Sequence, residues 1–438
     1  YKSIAMKSVE NKFYNSEEVF TMKGNVIVGQ SGGPTAVINS SLAGVYRTAI
    51  DRGAKKVYGM RFGIQGLLDE QYVDLSKHIK NDLDVEILKR TPSAFLGTCR
   101  YKLPDIHENQ DIYVKIFDIL EKLNIECFIY IGGNDSMDTI KKLSDYAILT
   151  GKSQKFVGVP KTIDNDLALT DHTPGYGSAA KYIATSTKEV IRDGLGFSYK
   201  KKLVTIIEIM GRNAGWLTGA SALSKGEDCD GPDLIYLPEV AFEIDKFVFR
   251  VRKLLEKKDV VVIAISEGIR TEDGKYISEL SAATDYVDAF GHKQLTGSAS
   301  YLANVINQQI GCKARAVEFS TLQRSAAHLA SRVDVNEAFM VGGAAVKAAD
   351  EGDSGKMVVI DRVSDDPYQS ATGIYDVHKI ANGEKLVPRE WITKDGTYVT
   401  EEFIDYVRPL IQGDSPCVMV GGIPRHLYMS SNRGKKGE

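Results

Sequence analysis

Cys127-Phe128-Ile129-Tyr130-Ile131-Gly132-Gly133-Asn134-Asp135-Ser136 is an apolar run that stops abruptly at two glycines, an amide, a carboxylate and a hydroxyl. An apolar run with no polar alternation reads as a strand buried on both faces, as in a parallel sheet covered by helices. The pattern recurs in both directions. Upstream, Asn25-Val26-Ile27-Val28 leads into Gly29-Gln30-Ser31-Gly32-Gly33-Pro34. Ile38, Leu42, Val45 and Ala49 then repeat at helical spacing, with Gly53 at the expected helix end. Downstream, Phe156-Val157-Gly158-Val159 precedes Pro160-Lys161-Thr162-Ile163-Asp164-Asn165-Asp166. Leu203 to Ile209 precedes Met210-Gly211-Arg212-Asn213, and Val260 to Ile265 precedes Ser266-Glu267-Gly268. Strand, polar cluster and helix in alternation predict an α/β fold of parallel sheets flanked by helices. Open α/β sheets bind ligands at the carboxyl ends of their strands, so these clusters read together as one site.

At 438 residues the chain exceeds what one core usually serves, and two lobes are expected. Basic and acidic residues number 55 and 58, a balance that suggests neither a nucleic-acid face nor a polybasic membrane surface. No apolar run reaches the ~18 residues that span a bilayer. The polar N-terminus lacks the apolar stretch of a secretory signal, and residues 1–23 and 433–438 are expected to be flexible. The cysteines are five, an odd number without CxxC spacing, as for reduced thiols in a cytoplasmic protein. The seven histidines form no HxxxH pair, so no transition-metal site is expected. Asp171 to Ser178 is turn-rich and reads as a join between lobes; a second change, to an Ala-rich helical stretch, follows Arg324.

The clusters carry specific chemistry. The loop Gly29 to Gly33 lacks a Walker or dinucleotide spacing. Its small residues suit either a tight βα turn or an anion held at a helix N-terminus. Asp135 and Ser136 supply oxygens of the kind magnesium phosphate chemistry favours, and the same residues can cap a helix. Pro160 to Asp166 gathers one Lys, one Thr and two Asp. Phosphoryl transfer needs a base for the attacking hydroxyl and positive charge for the transferred group, roles open to Asp164 and Lys161. An Asx-turn with a surface lysine is the plain alternative. Arg212, Arg315 and Arg324 suit phosphate recognition, or surface ion pairs, and Glu267 suits sugar hydroxyls.

Taken in order, Ser31-Gly32-Gly33, Leu96-Gly97-Thr98-Cys99-Arg100, Gly132-Gly133, Thr162-Ile163-Asp164-Asn165-Asp166, Met210-Gly211-Arg212 and Gln323-Arg324 resemble the phosphofructokinase family. The resemblance runs from Gly24 to Arg324. It implies a two-lobed fold with the active site in the cleft between lobes. It places Gly32, Gly33, Gly133 and Arg100 against the phosphoryl donor. Thr162, Ile163 and Asp166 contact substrate, and Asp164 is the base. Met210, Gly211, Arg212, Glu267 and Thr321 fall on the fructose 6-phosphate side. Arg315 and Arg324 match the arginines for the 6-phosphate, one of which normally comes from a neighbouring subunit.

Two positions separate the donors. ATP-using bacterial relatives usually carry Gly-Gly-Asp-Gly and Pro-Gly-Thr-Ile-Asp-Asn-Asp; here Asp135 and Lys161 replace the final Gly of the first and the Gly of the second. A carboxylate where a nucleotide α-phosphate would pass adds bulk and negative charge. A lysine beside the transferred group offsets the charge of the leaving group. Both exchanges resemble the pyrophosphate-dependent branch. Three positions depart from the family. Asn134 stands for the usual Asp of the magnesium site, leaving Asn134 and Asp135 as metal candidates. Thr321 stands for His or Tyr. Leu203 stands for a substrate-binding Arg, with Lys201 and Lys202 nearby. The resemblance thus implies Mg²⁺ as cofactor, pyrophosphate and fructose 6-phosphate as partners, a homodimer or homotetramer, and a reversible, cytoplasmic, glycolytic reaction. It also implies a donor lobe at 24–175, a sugar lobe at 176–324, and a region 325–432 returning to both. An ATP-dependent enzyme and a non-catalytic regulatory subunit are the alternatives; the second would lack Asp164, Asp166, Arg212 or Arg324, all of which are present.

Overall fold

The computed structural model describes residues 22–197, 199–280, 297–380 and 383–429. The expected tail at 433–438 and all but the last two residues of the expected extension at 1–23 lie outside these. Met22, at the boundary, is buried in the first core.

Eleven strands fall into two main sheets. They are β1 (Asn25–Gln30), β2 (Val57–Met60), β3 (Tyr72–Asp74), β4 (Ile125–Gly132), β5 (Lys155–Pro160), β6 (Leu203–Ile209), β7 (Leu234–Tyr236), β8 (Val260–Ser266), β9 (Lys313–Glu318), β10 (Lys356–Asp365) and β11 (Tyr368–Asp376). The first sheet has the order β11-β10-β5-β4-β1-β2-β3, and the second β7-β8-β6-β9. In the first, β2, β1, β4, β5 and β10 run parallel, and only the edge strands β3 and β11 pair antiparallel. The second sheet is wholly parallel.

Helices cover both faces, among them α1 (Ile38–Asp51), α2 (Asn134–Thr150), α3 (Tyr176–Phe197), α4 (Ile244–Leu255), α5 (Ser298–Ile310) and α6 (Arg332–Asp350). Successive strand residues point to opposite faces, so each sheet separates two cores. Val26, Val28, Ile129 and Ile131 pack with Ile38, Leu42 and Val45 of α1 and with Val341 and Ala345 of α6. Ile27, Phe128 and Tyr130 face the other way, onto Met137, Ile140 and Leu143 of α2. In the second sheet Ile207 and Ile209 face α3, while Val204 and Ile206 face α4 and α5.

The chain crosses between these layers repeatedly. After β9 it returns through α6 and adds β10 and β11 beside β5. It then returns to the core under α3, where Phe403 stacks on Trp216 at a centroid distance of 5.8 Å. Asp334 of α6 accepts hydrogen bonds from the Gly175 and Ser178 N–H groups at 2.9 and 2.8 Å, tying α6 to the start of α3.

Order in the first sheet reverses between β1 and β4: β1 continues outward to β2, and β4 outward to β5. That reversal opens a crevice at the strand ends carrying Ser31-Gly32-Gly33 and Gly132-Gly133. The mid-chain β6 of the second sheet presents Met210-Gly211-Arg212 at its carboxyl end.

Helices α1 and α6 meet backbone to backbone. A Cβ on Gly44 would stand 2.1 Å from the Phe339 oxygen, and one on Gly342 2.1 Å from the Ser41 oxygen. Alanine normally favours a helix over glycine by ~1 kcal/mol. Here Gly44→Ala and Gly342→Ala are expected to lower stability instead, by ~1–3 kcal/mol, because the helices must separate. Denaturant unfolding checks this, and unchanged or raised stability contradicts the close crossing.

Candidate active site

One cleft of about 900 Å³ collects the strand ends of both sheets. Its walls include Gly32, Gly33, Arg100, Gly133, Asn134, Asp135, Lys161, Thr162, Ile163, Asp164 and Asp166 from the first sheet's loops. Met210, Gly211, Arg212, Glu267, Thr321 and Arg324 face them from the second. Arg315 is the one expected site residue outside it. That arginine lies on the edge strand β9, beside a separate cavity of about 430 Å³. Its guanidinium stands 5.5 Å from the Phe197 ring centre and 4.0 Å from Asp193. Leu203 is buried at the opposite end of β6 from Met210. Lys202 donates to the Leu255 carbonyl at 2.7 Å, so it does not replace the missing arginine in this cleft.

One side of the cleft is built on the glycine pair. Gly32 has φ +74°, a left-handed conformation open to glycine. Cations approach from both sides: Lys161 Nζ and Arg324 Nη1 each come within 3.3 Å of where a Cβ on Gly32 or Gly33 would sit. Lys161 is not the surface lysine of a plain turn. It is 3% exposed, and its ammonium donates to the Gly33 carbonyl at 2.8 Å. Its own N–H donates to the Gly132 carbonyl at 3.1 Å, joining the end of β5 to that of β4. Arg100 arrives through a polar network. Gln30, fully buried, accepts from the Leu96 N–H at 3.0 Å and donates to Asn39 Oδ1 at 2.9 Å. Asn39 in turn donates to the Thr91 and Ser93 carbonyls.

The expected capping of α2 by Asp135 or Ser136 is corrected. Gly133 is the N-cap residue, with no side-chain bond, and Asn134 opens the helix. Asp135 sits exposed in the first turn, where its charge faces the positive helix end. Asn134 Oδ1 is buried and has no hydrogen-bond partner among the described residues. An oxygen left in this state beside Asp135 fits a Mg²⁺ that takes few protein ligands and fills its shell from phosphate and water. No cluster of three or more His, Cys, Asp or Glu among the described residues could hold a metal alone.

The loop Lys161–Asp166 is held from within. Thr162 Oγ1 donates to Asp164 Oδ2 at 3.2 Å and accepts from the Asp164 N–H at 3.1 Å. Opposite, the Gly211 N–H donates to Glu267 Oε1 at 3.3 Å, and the Met210 N–H to the buried Gln323 at 3.2 Å. Charge is crowded here. Burial pushes Asp164 above the usual carboxylate range, against the pull of Thr162, Lys161, Arg324 and Arg212. Burial, with Asp164 and Glu384 adding to it, pushes Asp166 up to about 7. Burial and then Asp164 push Glu267 up to about 8. Burial lowers Lys161 to about 8, although Asp164 and Asp166 oppose it. A base, a buried cation and a cradle for an anion therefore share one space.

Glu208, Glu318, Ser320 and Glu384 also line the cleft and escaped the sequence reading. Glu208 had a signal, a carboxylate inside the buried strand Leu203–Ile209. It accepts from the Ala299 N–H at 2.8 Å, at the start of α5. Glu384 lies in the region where no motif was found.

The family model for phosphofructokinase matches residues 25–349. The pyrophosphate--fructose 6-phosphate 1-phosphotransferase of Xanthomonas campestris pv. campestris is 41% identical over 93% of this chain and 96% of that protein. The enzyme of the same name from Halomonas elongata is 39% identical over 93% and 97%. The crystal structure of a pyrophosphate-dependent phosphofructokinase from Marinobacter aquaeolei is 36% identical, with a TM-score of 0.83 over 95% of this chain and 98% of that one.

The crowded carboxyls set a pH dependence. Asp166 and Glu267 hold protons in the folded chain up to about 7 and about 8, well above their values when unfolded. Their stabilising protonation is complete below about pH 4 and lost as pH rises through 7 to 8, so the ligand-free chain weakens across that window. Glu267→Gln is expected to melt higher than the unsubstituted chain at about pH 8, with the gap closing by about pH 5. Thermal unfolding at the two pH values reads this; an equal loss at both contradicts the crowding.

Proposed function

The chain belongs to the phosphofructokinase family, and on that premise we propose that it transfers a phosphoryl group from inorganic pyrophosphate to the 1-hydroxyl of fructose 6-phosphate. The products are fructose 1,6-bisphosphate and phosphate, and the reaction is a reversible step of glycolysis. The observation that carries the reading of the donor is Lys161: a buried ammonium 2.8 Å from the Gly33 carbonyl, on the glycine pair where the donor rests.

The sugar lies along Met210-Gly211-Arg212 and Glu267, with Thr162, Ile163, Asp166 and Thr321 completing its contacts. Its 1-oxygen attacks a phosphorus of pyrophosphate in line, the new O–P bond forming as the bridging P–O bond breaks and phosphate leaves. Asp164 takes the hydroxyl proton. Burial raises this carboxyl's proton affinity, which suits a base. Lys161 and Arg212 face the charge on the transferred group and the leaving phosphate. Gly32, Gly33, Gly133 and Arg100 hold the donor. Asn134 and Asp135 are the residues to hold Mg²⁺, which when bound neutralises charge on the diphosphate oxygens. Asp135 also occupies the path a nucleotide would take. A depressed Lys161, charged below about 8, keeps its role at neutral pH.

Arg324 and Arg315 bind the 6-phosphate, Arg315 in the site of a second copy. Its place outside this chain's own cleft supports that assignment. The working assembly is then a homodimer or homotetramer. Functionally the chain divides into a donor lobe at 24–175, a sugar lobe at 176–324 and a region 325–432 serving both. No helix among the described residues is long and apolar enough to cross a membrane, in keeping with a cytoplasmic enzyme.

Asp164→Asn keeps the side chain's size and removes its basicity. It is expected to lower kcat by ~10²–10⁴-fold, with KM for either substrate within about threefold. Steady-state kinetics check this, and a surviving kcat means that Asp164 is not the base.

A further inference from the structure

Residues 384–387 lie beyond the span matched by the family model, 25–349, yet they thread between the two walls of the cleft. Lys385 makes most of the connections. An ammonium has three N–H donors. Acceptors lie at 2.6 Å (the Asp171 carbonyl), 3.3 Å (the Thr170 carbonyl) and 3.3 Å (Asn165 Oδ1), all on the segment that carries the base. Its backbone N–H donates to the Asp166 carbonyl at 2.8 Å. Its own carbonyl accepts from Trp216 Nε1 at 2.8 Å, and its ammonium stands 5.3 Å from a Trp216 ring centre. Trp216 follows directly on the Met210–Gly215 loop of the sugar side. Two residues on, the Val387 N–H shares Glu239 Oε1 with the Gly215 N–H, at 3.0 and 2.8 Å.

The link from Lys385 to the base is short. Asn165 is fully buried with φ +56°, a left-handed conformation uncommon outside glycine and better tolerated by asparagine than by most residues. Its Oδ1 accepts from Lys385 and from the Thr173 N–H at 3.1 Å. Thr173 Oγ1 then donates to the Thr162 carbonyl at 2.7 Å, and Thr162 holds Asp164. Lys385 makes no ion pair among the described residues; its hydrogen bonds go to neutral oxygens. A lysine kept only for surface charge does not bury its stem to reach backbone carbonyls.

We propose that Lys385 is a positioning residue for phosphoryl transfer, clamping the Asn165–Asp171 segment against the Trp216 wall and so setting the distance between the Asp164 base and the bound sugar. The proposal rests on the function assigned above. A misplacement of about 1 Å away from the reacting atoms can lower a rate ~10²-fold.

The test is Lys385→Met in the full chain, which keeps the stem and removes the three donors. The expected result is a kcat lower by ~30–100-fold with KM for pyrophosphate and fructose 6-phosphate within about threefold. Amide hydrogen exchange should quicken over residues 162–173 and stay unchanged in β1 and β4, which a general loss of stability would not produce. Trp216→Phe serves if Lys385→Met fails to fold. It keeps a ring for Phe403 to stack on, removes the donor to the Lys385 carbonyl, and is expected to lower kcat by ~5–10-fold at unchanged KM for pyrophosphate. Undiminished kcat in a folded variant, or exchange that quickens everywhere in step with lost activity, overturns the proposal. An unsubstituted chain without pyrophosphate activity overturns the assigned function itself, and the two failures are told apart by that control.

Discussion

A parallel ladder sends the carboxyl ends of all its strands to the same edge, and every feature of the cleft depends on this in both sheets. In the first, β1, β4 and β5 end at Gln30, Gly132 and Pro160, so the glycine pair and Lys161 become neighbours without being neighbours in sequence. In the second, β6 and β8 end at Ile209 and Ser266, which brings Gly211 and Glu267 within a hydrogen bond. A reversed strand in either sheet would carry its cluster to the far edge. The antiparallel exceptions, β3 and β11, are outer strands, and neither contributes a residue to the cleft.

What this edge collects is electrostatically unfavourable by itself. Burial raises the proton affinity of Asp164, Asp166 and Glu267, Asp164 adds to it at the other two, and Lys161 is stripped of water. Such groups stay together only because surrounding structure over-determines them. The hydrogen bonds within the Lys161–Asp171 loop, the Asn165 side chain and the returning C-terminal segment supply that support. A ligand carrying phosphate charge would relieve the crowding among cations, and a transferred proton would relieve it among carboxylates. Site and substrate are complementary in this sense.

Much of this was legible in the sequence because its signals are local. Apolar runs ending in glycine-rich or polar clusters marked β1, β4, β5, β6 and β8, and all the expected site residues except Arg315 line one cleft. Losses occurred where position depends on distant chain. The burial of Lys161 follows from Gly33, 128 residues away, so its letters alone left a surface lysine open. Gly133 is the N-cap of α2, which leaves Asp135 and Ser136 inside the first turn rather than before it. Arg315 resembles a cleft residue in sequence, yet it lies on an edge strand beside a separate cavity. Glu384 and Lys385 sit in a segment without periodicity or motif, and only the returning chain shows what they touch.

The central claim is the identity of the donor, and one assay bears on it most directly: fructose 1,6-bisphosphate formation by the purified chain with Mg²⁺ and fructose 6-phosphate, offered pyrophosphate or ATP in separate reactions. Turnover with pyrophosphate and none with ATP is expected if the charge and bulk of Asp135 exclude the nucleotide and Lys161 serves the leaving phosphate. Turnover with ATP alone would contradict the reading of those two residues, and turnover with neither would contradict the assignment of the cleft as a catalytic site.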